Sequence, residues 1–321
     1  MRAVQVVSLD GPEALVVNDV PEPTPGPEEV LVDVHTVGVS FPDLLLSRGQ
    51  YQLKPEPPFT LGVDFAGTVV ESAHGFAAGQ RVAGVLSHGG AAERTVAHHS
   101  VVFPLPDGLS FEEGAALPMN YLTAHFALAV RAQLEAGETV LVHGAAGGVG
   151  TATIQVAKAY GARTIAVVST DEKAEIARQA GADDVVRLET FKDEVKALTD
   201  GRGVDVVLDV VGGDIFTDSL RSLAPFGRLL VVGFAAGQGI PEVKVNRLLL
   251  NNIDVRGVGW GDYAMKRPGY MKEQWAAITP YLENGAIKPP IGTTYAIEEF
   301  GQALLDMDQR KTLGKSVIIV R

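Results

Sequence analysis

The chain has 321 residues, a formal net charge of −12 and no cysteine. The charge excludes nucleic acid as the main partner, because phosphate binding needs a basic face. The missing thiols exclude disulfides, thiolate metal ligands and a cysteine nucleophile.

At about 100–200 residues per domain, the length predicts two domains. Met1 to Val7 runs straight into an alternating strand with no signal-peptide pattern. No apolar run approaches the roughly 18 residues of a membrane span. A cytoplasmic location without a membrane partner is expected.

Residues 1 to about 120 read as mostly β. Short alternating runs at Val4–Val7, Val30–Thr36, Ala66–Val70, Arg81–Leu86 and Ala92–Ala97 are separated by Gly and Pro. Pro21, Pro23, Pro25 and Pro27 stiffen one connection, since each fixes φ and lacks an N–H. Spaced short strands of this kind predict a partly open barrel. Phe41 to Gly49 predicts a short helix with proline early and glycine as its stop. Helical spacing from Phe111 to about Val130, broken near Pro118, leads into a second domain.

From residue 138 strands and helices alternate. Strands are expected at Thr139–His143, Arg163–Val168, Asp184–Val186, Val204–Val210, Arg228–Val232 and Ile253–Val258. Helices are expected at Thr151–Tyr160, Asp171–Ala180, Phe191–Thr199 and Ile215–Leu223. Such strands are near-continuous apolar runs because helices cover both faces. The fold class is therefore α/β, a Rossmann-type doubly wound parallel sheet inserted in a mainly β domain. Helices at Tyr270–Leu282 and Ile297–Met307 and a strand at Ser316–Val320 return to the first domain. The expected division is residues 1–122 with 261–321, and residues 123–260.

The inserted domain opens at Thr139 to Gly150, where an apolar strand meets Gly144, Gly147 and Gly150 before a helix. Glycines there let a backbone approach a pyrophosphate, whose charge then sits at the helix N-terminus. The context of strand, turn and helix carries this reading more than the glycine spacing does. The second strand of such a fold ends beside the adenosine ribose, where a carboxylate favours NAD. Here it ends at Ser169-Thr170, with Lys173 one turn later and Arg187 just after the third strand. These residues predict NADPH. Ser169 also fits an N-cap with Glu172 three residues on, and Lys173 can equally be a solvated surface lysine.

Several stretches together resemble the quinone oxidoreductases related to zeta-crystallin, in the medium-chain dehydrogenase/reductase superfamily. They are Val39 to Tyr51, Gly62-Val63-Asp64-Phe65-Ala66-Gly67, Gly79-Gln80-Arg81-Val82, Leu122-Thr123-Ala124, His143 to Gly150 and Gly314-Lys315-Ser316-Val317. The resemblance implies a split, GroES-like catalytic domain, an inserted Rossmann domain, NADPH, and a homodimer joined through the nucleotide domains. It implies reduction of quinones or other activated carbon–carbon double bonds. It puts Gly147, Gly148 and Val149 at the pyrophosphate, and Ser169 and Lys173 at the 2′-phosphate. It puts Ser40 and Thr123 near the nicotinamide, covered by Gly233-Phe234-Ala235 and Gly259-Trp260, with Arg310 a further contact. Leu188 and Leu45 stand where relatives often carry tyrosine, Ser40 where many carry asparagine, and Gln80 where aspartate is usual.

The zinc alcohol dehydrogenases share this architecture and use thiolate, imidazole and carboxylate ligands. Their cysteine position reads Ser40, and their Gly-His-Glu turn reads Gly62-Val63-Asp64. His98 and His99, if on one strand, would point to opposite faces. No metal is expected. A quinone or enone spreads negative charge by conjugation, so orientation and one hydrogen-bond donor suffice. Tyr51 is the first candidate donor, or else a pocket wall, and Tyr121 is the second. An enoyl-thioester reductase, and a non-catalytic NADPH-binding protein, are the rival readings.

Overall fold

The computed structural model describes residues 1–321. The chain forms two compact units, one of Met1–Asn120, Pro268–Glu283 and Pro289–Arg321, the other of Tyr121–Arg267 and Asn284–Lys288. The boundaries fall at 120/121 and 267/268, where the sequence reading put 122/123 and 260/261, and the short segment Asn284–Lys288 goes with the second unit.

The first unit begins with β1 (Arg2–Val6), β2 (Leu15–Asp19), β3 (Glu29–Gly38), β4 (Phe59–Thr60), β5 (Asp64–Val69), β6 (Arg81–Val85), β7 (Arg94–His98) and β8 (Val102–Pro104). The second unit holds β9 (Thr139–Val142), β10 (Arg163–Val168), β11 (Asp184–Arg187), β12 (Val204–Asp209), β13 (Leu223–Val231) and β14 (Asp254–Gly257). The chain then returns to the first unit with β15 (Ile291–Ala296) and β16 (Lys315–Ile319).

In the first unit β2-β1-β4 make a small sheet, and a larger one runs β15-β16-β3-β5-β6-β8 with β7 also on β3. Val30, Val32 and Val34 of β3 are buried while their neighbours are half-buried, the alternation of a strand with one core face. The second unit carries the order β11-β10-β9-β12-β13-β14, every neighbour parallel. That is the doubly wound order with its switch between β9 and β12. All four residues of β9 and all six of β12 are buried, as strands covered on both faces must be.

The differences from the sequence reading have local causes. β2, β4, β8 and β15 are short or exposed and carry no clear alternation; β15 is Ile-Gly-Thr-Thr-Tyr-Ala with no buried residue. The helix after the glycine turn spans Gly148–Ala159, starting three residues before Thr151, because two of the glycines form its first turn. The 111–130 stretch is three pieces: Phe111–Ala116, Pro118–His125 and a wider π-helical segment Phe126–Ala132. The helix at 171 is capped by Thr170, whose Oγ1 accepts from the Lys173 N–H, so Ser169 is not the N-cap. The His98-His99 pair also departs from expectation. β7 ends at His98 and a 3-10 turn starts at His99, so the two rings stack with centroids 4.7 Å apart instead of diverging.

Candidate active site

In the first unit three strand ends converge. Gly38 at the end of β3 lies opposite Asp64, the first residue of β5. β16 runs antiparallel to β3, and the Val39 N–H donates to the Ser316 carbonyl at 3.0 Å. A side chain at Gly38 could not be accommodated, since a Cβ there would lie 2.1 Å from the Ala115 carbonyl oxygen. Glycine therefore lets the strands close up and brings Ser40, Asp64 and Lys315 together.

The Lys315 ammonium donates to Asp64 Oδ2 at 2.9 Å and to Ser40 Oγ at 2.6 Å. Ser40 Oγ in turn donates to Asp64 Oδ2 at 2.8 Å, and the Met119 N–H donates to Asp64 Oδ1 at 2.8 Å. The Lys315 and Asp64 side chains are 5% and 0% exposed. Ser40 is itself buried, its hydroxyl engaged on both sides. The sequence places Asp64 and Lys315 in family motifs but singles out only Ser40 of the three as a site residue. The available signal was a lysine at the head of the mostly apolar terminal strand Lys315–Ile319, a charge that needs a counter-ion if buried.

Ser40 precedes the helix Phe41–Ser47, whose early Pro42 is compatible with a helical first turn. Asp43 on that helix is fully buried, accepting from the Ser40 and Gly62 N–H groups at 3.1 Å each. Burial pushes its carboxyl up from 3.8 to about 7, against those two donors, which favour the ionised form. The folded chain then holds a proton that the unfolded chain has lost. Stability from this group is fully present below about pH 4, falls as pH rises toward 7 and is level above, at no more than about 1.4 kcal/mol per pH unit. Asp43→Asn removes that component. The wild-type advantage over the variant in urea unfolding should therefore shrink from pH 4 to 7; a pH-independent difference would mean that Asp43 stays ionised.

Tyr51 follows the helix and is half-buried against the core of the first unit. Burial, and next the Asp43 charge, push its phenol above the usual tyrosine range, so it stays protonated at neutral pH. No hydrogen bond holds its hydroxyl, which leaves it able to donate. Tyr121, in the second unit, is buried with its hydroxyl donating to Gln155 Oε1 at 2.8 Å. That bond makes Tyr121 part of the packing of the second unit, not a candidate donor to a substrate. Gln80 Oε1 accepts from the Ala77 N–H at 3.0 Å, a turn-closing role. Arg310 is exposed at left-handed φ just past the helix Phe300–Asp308.

In the second unit the glycine turn has the close packing that a cofactor cradle needs. A Cβ on Gly150 would lie 2.2 Å from the Gly144 carbonyl oxygen, and Gly144 itself has φ of 63°. Gly147 is the N-cap of Gly148–Ala159, so the N–H groups of Gly148 and Val149 have no intrahelical acceptor. Thr123 lies buried on Pro118–His125. At the end of β10, Lys173 Nζ donates to Ser169 Oγ at 3.5 Å, and Arg187, the last residue of β11, pairs with Asp171. Two cations and a hydroxyl thus gather at one helix start, although Asp171 engages one cation. Leu188 packs against the core of this unit. After β13, the Ala235 N–H donates to the Val210 carbonyl at 3.1 Å, and Phe234 lies against Gly212, where a Cβ would touch its ring at 2.9 Å. Gly259 caps the short helix Trp260–Met265, and Trp260 is buried.

Comparison with known proteins agrees with this architecture. Residues 26–107 match the alcohol dehydrogenase GroES-like domain, and residues 148–278 match the zinc-binding dehydrogenase family. Quinone oxidoreductase-like protein 2 of Rattus norvegicus is 40% identical over 326 residues, covering 100% of this chain and 92% of the rat protein. A probable oxidoreductase from Mycobacterium abscessus superposes with a TM-score of 0.90 at 42% identity, covering 100% and 99% of the two chains. The quinone oxidoreductase from Thermus thermophilus, solved also as its complex with NADPH, gives a TM-score of 0.86 at 34% identity with full coverage of both. With a GroES-like unit, an inserted doubly wound sheet and full-length relatives at this identity, the chain belongs to the quinone oxidoreductase family of the medium-chain dehydrogenase/reductase superfamily.

Proposed function

We propose that the protein transfers hydride from NADPH to a quinone or another activated carbon–carbon double bond, without a metal. The reading rests on a dinucleotide turn in one unit combined with an ammonium among the would-be metal donors of the other. Zinc does not fit there: Ser40 offers a hydroxyl, Val63 nothing, and Asp64 Oδ2 already meets the Lys315 ammonium at 2.9 Å. When bound, NADPH supplies the hydride. The chain's own task is to orient the acceptor and to donate a hydrogen bond to the oxygen that gains charge. Tyr51 is the proposed donor, protonated at working pH and placed just past the helix Phe41–Ser47, packed against the core of the first unit. Burying the Ser40–Asp64–Lys315 network fixes the position of that segment.

Cofactor choice rests on Ser169 and Lys173. With Thr170 as the cap, the Ser169 hydroxyl faces Lys173 without a capping role. A charge-assisted hydrogen bond contributes roughly 1.5–3 kcal/mol, or one to two decades in affinity. Lys173→Ala should weaken NADPH by that much and leave NADH nearly unchanged, read by fluorescence titration. Equal loss for both cofactors would remove the 2′-phosphate assignment.

Assaying NADPH oxidation with a quinone, an alkenal and an enoyl-CoA tests the activity itself. The proposal expects turnover with the first two; thioester reduction alone would favour the enoyl reductase, and binding without any oxidation would favour a non-catalytic role. Tyr51→Phe should lower turnover by about 10²-fold or more, the lower end for general acid catalysis, at unchanged NADPH affinity. Unaltered turnover across acceptors would leave Tyr51 as pocket wall.

Self-association through the nucleotide unit fits its surface. Ile240, Val245, Leu249 and Leu250 are each more than 70% exposed, and they precede β14, one of the two edge strands of the parallel sheet. Exposed apolar side chains in the segment that leads into an edge strand offer surface that a second copy can cover.

A further inference from the structure

Three of the seven histidines gather on the surface of the first unit, two of them beside the start of β3, the opposite end from Gly38 and Ser40. β3 and β7 pair so that Glu29 lies opposite His98, and the His99 N–H donates to the Glu28 carbonyl at 2.9 Å. This fixes two imidazoles beside one carboxylate. Glu28 Oε2 lies 3.2 Å from His99 Nε2 and 3.6 Å from His98 Nε2, and the three ligand atoms fall within 4.8 Å of one another. The His74 ring stacks on His99 with centroids 5.0 Å apart.

We propose that Glu28, His98 and His99 form a binding site for a borderline transition-metal ion such as Zn2+, separate from the reductase site. A tetrahedral ion with ligands at about 2.0–2.1 Å sets them about 3.3 Å apart, close to the two nitrogen–carboxylate separations. Two imidazoles with one carboxylate select zinc, copper or nickel over calcium or magnesium, which prefer oxygen ligands only. His98 Nδ1 accepts from the Ser100 N–H at 3.2 Å, with Ser100 Oγ 2.7 Å from the same nitrogen. Binding an ion through Nε2 moves the ring proton to Nδ1, which then donates to Ser100 Oγ while the Ser100 N–H turns to water. This is the outer-shell contact that orients a ligating histidine. The fourth position is open to water. Lys272 Nζ, 3.4 Å from His99 Nδ1, is the nearby charge that opposes a cation. Each ligand lies at or beside a strand end, so the ion would pin the start of β3 to the end of β7.

The test uses tag-free, chelator-stripped full-length protein titrated with ZnCl2 by calorimetry. One saturable equivalent is expected, weakened about tenfold or more by Glu28→Gln or by His99→Ala. Lys272→Gln should tighten it by removing the opposing charge. Loading with Cu2+ should give an electron-spin resonance signal split by two nitrogens, reduced to one in His98→Ala. Metal-free variants that melt with the wild type show that the losses are not unfolding. No saturable binding by the wild type, or unchanged binding in the His98→Ala/His99→Ala double variant, overturns the proposal.

Discussion

Lys315→Met should cost the first unit roughly 3–5 kcal/mol of stability, the range for removing one partner of a buried ion pair. The variant keeps most of the side-chain volume and leaves the Asp64 carboxyl, 0% exposed, without its ammonium partner and with only Ser40 Oγ and the Met119 N–H as donors. Taking a lone carboxylate out of water is what makes the loss large, more than the missing attraction. Lys315→Met/Asp64→Asn separates the two contributions. The asparagine carbonyl can still accept from Met119, its amide can donate to Ser40, and no net charge is buried. That double variant should therefore recover most of the stability. Urea unfolding of both variants at one pH is the measurement. A cost for Lys315→Met below about 1 kcal/mol, the range of an exposed pair, would mean that water reaches the pair. The same variants bear on the proposed role of Tyr51. Ser40 opens the segment that ends at Tyr51, so a displaced Ser40 should lower turnover in step with stability.

How much of this was legible depended on how local each signal is. The parallel sheet was readable because β9 and β12 are buried on both faces, which leaves continuous apolar runs alternating with helical stretches. β15 was not readable. None of its residues is fully buried, so no apolar alternation separates it from a loop, and only pairing with β16 makes it a strand. The Ser40–Asp64–Lys315 cluster joins residues 24, 251 and 275 positions apart. No local pattern reports such a contact. Motif matching brought all three residues into view, yet which of them touch is decided by the register of β3 against β5 and β16. His98 and His99 fail for the opposite reason. β7 ends at His98, and the turn that starts at His99 decides which way that ring points, so strand alternation does not govern the pair.

Gly147→Ala and Gly150→Ala should both impair NADPH binding, through different physics. At Gly150 the added methyl would lie 2.2 Å from the Gly144 carbonyl oxygen and 2.7 Å from the Ala145 Cα, both backbone atoms that cannot swing aside. The turn must open, at the roughly 1–3 kcal/mol or more of an overpacked core. Its unpaired N–H groups lose their aim, so the variant should both melt earlier and bind NADPH at least about tenfold more weakly, since each 1.4 kcal/mol is a factor of ten. Gly147 has φ of −89° and ψ of 175°, a conformation open to any residue, and its Cβ would meet nothing closer than the Gly144 oxygen at 3.4 Å. Gly147→Ala should therefore fold and melt as the wild type does. If a pyrophosphate approaches the backbone there, the methyl stands in its way and affinity falls with no loss of stability. Melting curves and NADPH titrations on the two variants separate the roles. Unchanged affinity in Gly147→Ala would mean that the turn serves packing alone at that position. A drop without a change in melting temperature can arise only from a ligand that comes to the backbone, because the folded chain has no other use for the missing side chain.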